Sequence, residues 1–282
     1  MQKIPVSKQD FAEYYALYRV AHEPLWLSTS LRSTNALYED LAGTAVFFTV
    51  DDRVMGGALI EEGWTGMVFV MPYAVASKLW FALLEDALKR TNAKTPLTFY
   101  GVSEPHRDYL MQHGFKVIDG EQAMAAHTVM HPPFTWPKGL SLHPVSAADQ
   151  ATLVRLYTEV YQAHTLESIK HRKASYYETL LTDQLKDHEE ALSFVIRDGD
   201  RTIAAVLVEE WEAYPFLLDL VVLPDWQGQG LGTRMLKTVI SRASAFGPYI
   251  RLNVTPGNPA IRLYERLGFA AFKPTYTMRL ER

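Results

Sequence analysis

The sequence contains no cysteine. That absence removes a disulfide framework, a thiolate zinc site and a nucleophilic Cys in one step. Positive charge is not in excess either. A formal net charge of -4, with Lys and Arg scattered, offers no broad field to attract nucleic acid or an anionic membrane. No apolar run approaches the roughly 20 residues that span a bilayer, and Met1-Gln2-Lys3-Ile4-Pro5-Val6-Ser7 lacks the apolar core of a signal peptide. The expectation is a cytoplasmic protein with no membrane and no nucleic-acid partner, a monomer or homodimer. Histidines show no tight spacing with carboxylates, so no metal is expected.

What the chain does contain is enough apolar material to fold: 48% hydrophobic against 21% charged residues over 282 positions. Single cores stop growing near roughly 250–300 residues, so one large or two ordinary domains are expected. Pro132, Pro133 and Pro137 punctuate residues 131–138, which reads as a semi-rigid linker. It divides the chain into domains 1–130 and 139–282. The halves echo each other. Ala45–Val50, a turn at Asp51-Asp52-Arg53 and Val54–Ile60 read as a hairpin, as do Phe194–Ile196, Asp198-Gly199-Asp200-Arg201 and Thr202–Val208. Tyr109-Leu110-Met111-Gln112-His113-Gly114-Phe115 parallels Leu263-Tyr264-Glu265-Arg266-Leu267-Gly268-Phe269, which suggests duplication of a domain.

In the second half, a strand near Leu140–Pro144 leads to helices over about 148–163 and 175–185. The hairpin and a strand over 216–222 follow. A helix over 230–245 carries Leu231, Met235, Leu236, Val239, Ile240 and Ala243 at helical spacing. A strand over 250–254, a short helix over 259–266 and strands near 270–273 and 275–280 complete it. Strands and helices mixed in this way, with a crossover between two strands, mean a mixed α/β sheet.

The chemistry concentrates in Leu217-Leu218-Asp219-Leu220-Val221-Val222-Leu223-Pro224-Asp225-Trp226-Gln227-Gly228-Gln229-Gly230-Leu231-Gly232-Thr233. A buried strand ends at Pro224 and a glycine-rich turn opens a helix. Such a turn leaves N–H groups without intrahelical partners, and the helix dipole favours an anion there. A diphosphate is the expected ligand. The stretch is not a Walker loop, because no Gly-Lys-Ser/Thr closes it, and glycine spacing excludes the dinucleotide fingerprint. Asn253-Val254-Thr255 formally matches a glycosylation acceptor, but inside a strand pattern it reads as coincidence.

What remains, Gln227-x-x-Gly230-x-Gly232, resembles the coenzyme-A signature of the GCN5-related N-acetyltransferase (GNAT) superfamily. The resemblance continues through Asn253, Asn258-Pro259-Ala260 and Leu263-Tyr264-Glu265-Arg266-Leu267-Gly268-Phe269, and covers about 139–282. It implies an α/β (α+β) fold of two tandem GNAT-like domains, each a mixed, mostly antiparallel sheet flanked by helices. It also implies acetyl-CoA as cosubstrate and a primary amine of a small molecule or peptide as acceptor, attacked directly. By the same resemblance, backbone N–H groups of Gln229, Gly230, Leu231, Gly232 and Thr233 hold the pyrophosphate, with Gln227 and Gly228 shaping the turn. Main-chain atoms of Leu220, Val221 and Val222 meet the pantetheine arm, and Asn253 and Asn258 are cofactor contacts. Tyr264 matches the general acid; a phenol can protonate a departing thiolate, though Tyr264 could instead only pack its helix. Asp219 is the candidate base, with a solvated strand face as its alternative, and for Glu209 and Glu210 the solvated reading is preferred. A non-catalytic acyl-CoA sensor is the competing function.

His164 and His171 fall near the acceptor side and are read as surface histidines. Trp211, Tyr214, Phe216, Tyr157, Tyr161, Tyr176 and Tyr177 are read as core or rim, with a place for some of them along the substrate cleft as the alternative. In the first half, Met67-Val68-Phe69-Val70-Met71-Pro72 keeps the strand pattern, but no glycine precedes the helix over 78–90. Leu110 stands at the Tyr264 position and Glu104 at that of Asn258. This half reads as a degenerate copy lacking the coenzyme A loop, which either shapes the acceptor cleft or only buries a sheet edge.

Overall fold

Asp51 and Asp52 both adopt positive φ, 48° and 60°. Paired left-handed residues make the tight turn whose twist matches that of the flanking strands, and short polar Asp tolerates the conformation. The hairpin expected at this point therefore forms. The computed structural model describes residues 1–22, 43–132, 135–166, 170, 172–211 and 214–281. Two compact units divide them, one of residues 1–122 with 272–282 and one of residues 123–271.

The first unit runs β1 (Gln2–Pro5), α1 (Lys8–His22), β2 (Thr44–Val50), β3 (Arg53–Glu61), β4 (Trp64–Val70), α2 (Ala76–Arg90), β5 (Leu97–Ser103), α3 (Glu104–Gln112) and β6 (Lys116–His127). Its sheet is completed by the last strand of the chain, β13 (Thr275–Leu280), in the order β1-β2-β3-β4-β5-β13-β6. Only β4 and β5 run parallel. Tyr276 stands between Val102 of β5 and Gly120 of β6, and Met278 pairs with Phe99 and Val117. Met278 is fully buried beside Leu97, Phe99 and Leu110. The expected strand over 275–280 exists, but it serves the first unit. Its sequence pattern announces a strand and cannot announce a partner lying more than 150 residues back.

The second unit takes residues 123–127 of β6, then β7 (Leu140–Pro144), α4 (Gln150–Gln162), α5 (Ala174–Asp187), β8 (Phe194–Asp198), β9 (Arg201–Trp211), β10 (Tyr214–Val222), α6 (Leu231–Ala243), β11 (Tyr249–Val254), α7 (Ile261–Arg266) and β12 (Ala270–Ala271). Its sheet order is β6-β11-β10-β9-β8-β7, with β10 and β11 parallel and β7 to β10 antiparallel. Residues Ile203–Val208 of β9 are wholly buried, which means that helices cover both sheet faces. Leu231, Met235, Leu236, Val239, Ile240 and Ala243 of α6 supply one cover. Tyr157 of α4 and Tyr177 of α5 belong to the same core.

The division falls inside β6 at Gln122/Ala123, not at residues 131–138. The proline-bearing stretch belongs to the second unit and is fastened there. His131 N–H donates to Ser241 Oγ at 2.8 Å, Thr135 C=O accepts from Arg234 at 3.2 Å, and Trp136 packs on Phe194. Proline removes donors from a segment, but it does not stop aromatic and carbonyl groups from anchoring it. Among the described residues, no helix is long and apolar enough to cross a membrane, and no cluster of His, Asp and Glu could hold a metal ion.

Candidate functional site

The parallel ladder between β10 and β11 holds at two positions, Phe216 with Arg251 and Leu217 with Leu252. Both strands run on, to Val222 and Val254. A bulge between Leu217 and Asp219 on the β9 side adds twist to β10 just where the ladder ends. The strands part, and a cleft of about 730 Å³ opens between Leu220–Val222 on one wall and Asn253–Thr255 on the other. Backbone amides on a parted strand still require hydrogen-bond partners, and an extended, amide-bearing ligand can provide them.

Beyond β10 the chain turns through Pro224–Trp226, and Gln227 N–H donates to Pro224 C=O at 3.1 Å. The Gln227 side chain reaches back to Val222 C=O at 2.8 Å, and the Gln229 side chain binds Asp225 C=O at 2.8 Å. These two glutamines hold the turn from within. Gly228 and Gly230 have φ of 73° and 79°, and Gly230 caps α6 with no side chain to satisfy the first turn. Arg234 N–H is bonded to Gly230 C=O, so the N–H groups of Leu231, Gly232 and Thr233 remain for a ligand. A Cβ at Gly228 or Gly230 would meet nothing within 4 Å. Glycine is required there by the backbone conformation, and the space above the turn is open. Gly232 differs: a Cβ would touch Leu263 at 3.5 Å and Leu220 at 3.6 Å, ordinary contacts that alanine also makes. Gly230→Ala is thus expected to cost about 1–2 kcal/mol of turn conformation. It should weaken binding of the diphosphate expected at this turn about tenfold by calorimetry, whereas Gly232→Ala should bind nearly as wild type.

On the same cleft wall, Tyr161 of α4 donates its hydroxyl to Asp219 Oδ1. Burial pushes the Asp219 carboxyl up to about 6, although the Tyr161 hydrogen bond and the nearby Arg172 charge pull the other way. Tyr264 is buried, packs on Phe269 with ring centroids 5.7 Å apart, and faces the cleft. Burial first, and then the Asp219 charge, raises its phenol far above the usual tyrosine range. Burial and Asp219 likewise raise Tyr157 and Tyr161, and burial drives Tyr177 to about 12. Tyr161 and Tyr177 stack at 5.5 Å with planes 10° apart, so a phenol cluster backs the carboxylate. His164 lines the cleft; its Nδ1 accepts Leu166 N–H at 3.1 Å. Burial lowers its pKa against a hydrogen bond to the Asn258 side chain. Asn258 Oδ1 also accepts Ala260 N–H at 2.9 Å, which turns the chain into α7.

The cleft brings together Asp219, Leu220, Val221, Val222, Gln227, Gly228, Gly230, Leu231, Gly232, Thr233, Asn253, Asn258 and Tyr264. Of the residues expected at the site, Gln229 alone lies off the cleft wall, occupied with Asp225. Glu209 and Glu210 also stand apart, opposite Phe216 and Pro215, and burial near Asp187 raises the Glu209 carboxyl. His171 lies outside the described residues. Trp211 is exposed at a strand end, and Tyr157 and Tyr177 are core. Tyr161, His164 and Arg172 also line the cleft: Tyr161 takes the cleft-lining alternative of the aromatics, His164 departs from the surface reading, and Arg172 is not among the residues expected from sequence. For Tyr161 a signal existed, its i,i+4 spacing from the buried Tyr157. In the first unit, β4 leads to α2 through the extended Val75, Leu110 is fully buried, and Glu104 faces Arg107 at 3.9 Å.

Parted parallel strands above a glycine-opened helix offer a place for an extended, amide-bearing ligand that ends in an anion. Residues 153–269 match the Acetyltransferase (GNAT) family. Three solved structures resemble the whole chain. The GCN5-related N-acetyltransferase from Sphaerobacter thermophilus is 18% identical, with a TM-score of 0.69, covering 99% of this chain and 95% of that one. A tandem GNAT protein from the clavulanic acid biosynthesis pathway is 15% identical, with a TM-score of 0.58, covering 99% and 98%. A GNAT-family acetyltransferase from Colwellia psychrerythraea is 12% identical, with a TM-score of 0.58, covering 100% of both chains. At these identities the likeness is one of fold. No curated protein matches the chain in sequence.

Proposed function

We propose that the protein is an acetyl-CoA-dependent N-acetyltransferase that acts on a primary amine of a small molecule or peptide. The observation that carries this reading is the placement of Asp219 and Tyr264 on the walls of one cleft with the Gln227–Thr233 turn. The cosubstrate supplies the activated acetyl group, and the residues fit it: open space over positive-φ glycines suits a diphosphate, and the parted strands suit an amide-bearing arm. N–H groups of Leu231, Gly232 and Thr233 bind the diphosphate, and a strand N–H of Val221 or Val222 polarises the thioester carbonyl.

Asp219 takes a proton from the acceptor ammonium, which frees the nitrogen lone pair. The C–N bond forms, the C–S bond breaks, and the Tyr264 hydroxyl gives its proton to the departing sulfur. The nitrogen, acidified by its new C–N bond, gives up its second proton to the Tyr264 phenolate, and Asp219 releases the first to solvent. The electrostatics couple these steps. While Asp219 is charged, Tyr264 holds its proton tightly; once Asp219 is protonated, one of the two causes raising the phenol disappears. The phenol thus gives its proton more readily once Asp219 is neutral, while burial, the larger cause, still holds it above the usual tyrosine range. We also read the first unit as a degenerate copy without the glycine turn.

The experiment is release of free thiol from acetyl-CoA across a panel of amines. Acceptor-dependent release is expected. Tight coenzyme A binding with no release from any amine would instead make the protein a sensor.

A further inference from the structure

The charged side chains on the cleft wall are Asp219, Arg172 and Arg266. Arg266 sits at the end of α7, past Tyr264. Arg172 approaches β10 from the segment that leads into α5, and of the two arginines it alone acts on the Asp219 carboxylate. Asp219 and Arg172 nonetheless do not form an ion pair. The carboxylate is held by the Tyr161 hydroxyl, while the guanidinium lies over the Tyr176 ring at 4.7 Å from its centroid. A guanidinium stacked by its face keeps its edge, with its fork of N–H groups, free for a planar anion. No carboxylate among the described residues pairs with it.

Beyond the choice of acetyl transfer, and resting on it, we infer that the acceptor is an amino carboxylate such as a free amino acid. Its ammonium addresses Asp219 and its carboxylate addresses Arg172. Asp219 and Arg172 each rest on a phenol and are not ion-paired with each other, an arrangement complementary to a zwitterion. The remaining wall on this side, Val160, Ala163, Leu217 and Leu218, offers apolar contact for a side chain or methylene chain. A polyamine would set a second cation against Arg172, and an amine without an acid group would leave the guanidinium desolvated with no counterion. A peptide N-terminus presents an amide where the carboxylate is needed. Asp219 precedes Leu220–Val222 and the diphosphate turn on β10, and Arg172 is the arginine whose charge reaches it.

The test compares matched acceptors at saturating acetyl-CoA: an amino acid, its amide and its decarboxylated amine. A series from glycine to 5-aminopentanoate then measures the separation of the two charges. The acid should exceed the amide in kcat/KM by roughly 10- to 100-fold, the worth of a charge-assisted hydrogen bond. Arg172→Gln should bring that ratio toward 1 by raising KM for the acid, and Arg172→Lys should restore part of it. Equal turnover of acid and amide by the wild type, or an unchanged ratio in Arg172→Gln, overturns the inference and leaves acetyl transfer standing. Thermal shifts of the same compounds with coenzyme A separate the opposite case. Stabilisation by the acids, lost in Arg172→Gln, without thiol release keeps the amino-carboxylate site and removes the transferase. Absence of any carboxylate-dependent shift and of any turnover overturns both.

Discussion

Tyr264→Phe is expected to lower kcat for acetyl transfer by about 10²- to 10⁴-fold, the usual contribution of a positioned acid, with little change in KM for acetyl-CoA. The substitution is clean. The ring that packs on Phe269 is kept, and the hydroxyl that disappears has no hydrogen-bond partner among the described residues, so no protein group is orphaned. Thermal stability should hold, because Tyr264 faces the cleft and its hydroxyl holds no other protein group in place. Full activity in the Phe variant would reduce Tyr264 to a packing residue. A loss confined to kcat, in a protein that melts normally, assigns the acid.

The second large effect is expected at Asp219. Asp219→Asn keeps an oxygen to accept the Tyr161 hydroxyl and removes the charge. With the carboxyl at about 6 in the folded chain against an ordinary 3.8, this group favours the folded state in its protonated form. Its contribution is fully present below about pH 4 and is lost as pH rises through 6. Above that, the native protein carries a half-buried charge, and the Asn variant should be more stable by about 1–3 kcal/mol at pH 8. Activity should move the other way: turnover falls by about 10²-fold or more, and the acid limb of the kcat/KM profile near pH 6 vanishes. Denaturant melts at pH 4.5 and pH 8 with a parallel pH–rate series test both halves. A variant less stable at pH 8, or a limb that persists, would contradict the assignment.

The parts of the site that could be read from sequence are those fixed by neighbours in the chain. Gly228 and Gly230 announce positive φ, and a strand running into such a turn dictates where free N–H groups point. The buried face of α6 follows in the same way from its spacing. What could not be read depends on register between distant segments. Tyr161 reaches Asp219 across 58 positions, and Arg172, just ahead of α5, carries no local sequence signal that places it beside β10. The proline-bearing residues 131–138 look like a linker because their composition forbids regular structure. Their anchoring by Ser241, Arg234 and Phe194 depends on surfaces built later in the chain.

The position of β13 gives the protein a calendar. Residues 123–271 are contiguous, so the second unit can assemble as soon as they have been synthesised. The first unit begins emerging earlier, yet its sheet keeps a gap between β5 and β6 until Thr275–Leu280 arrives about 150 residues later. At ribosomal speed that delay is on the order of ten seconds. Through it, the edge bearing Leu97 and Phe99 stands open, the kind of edge that recruits foreign strands. The unit whose strands are made first is closed only by a strand made after the whole of the second unit.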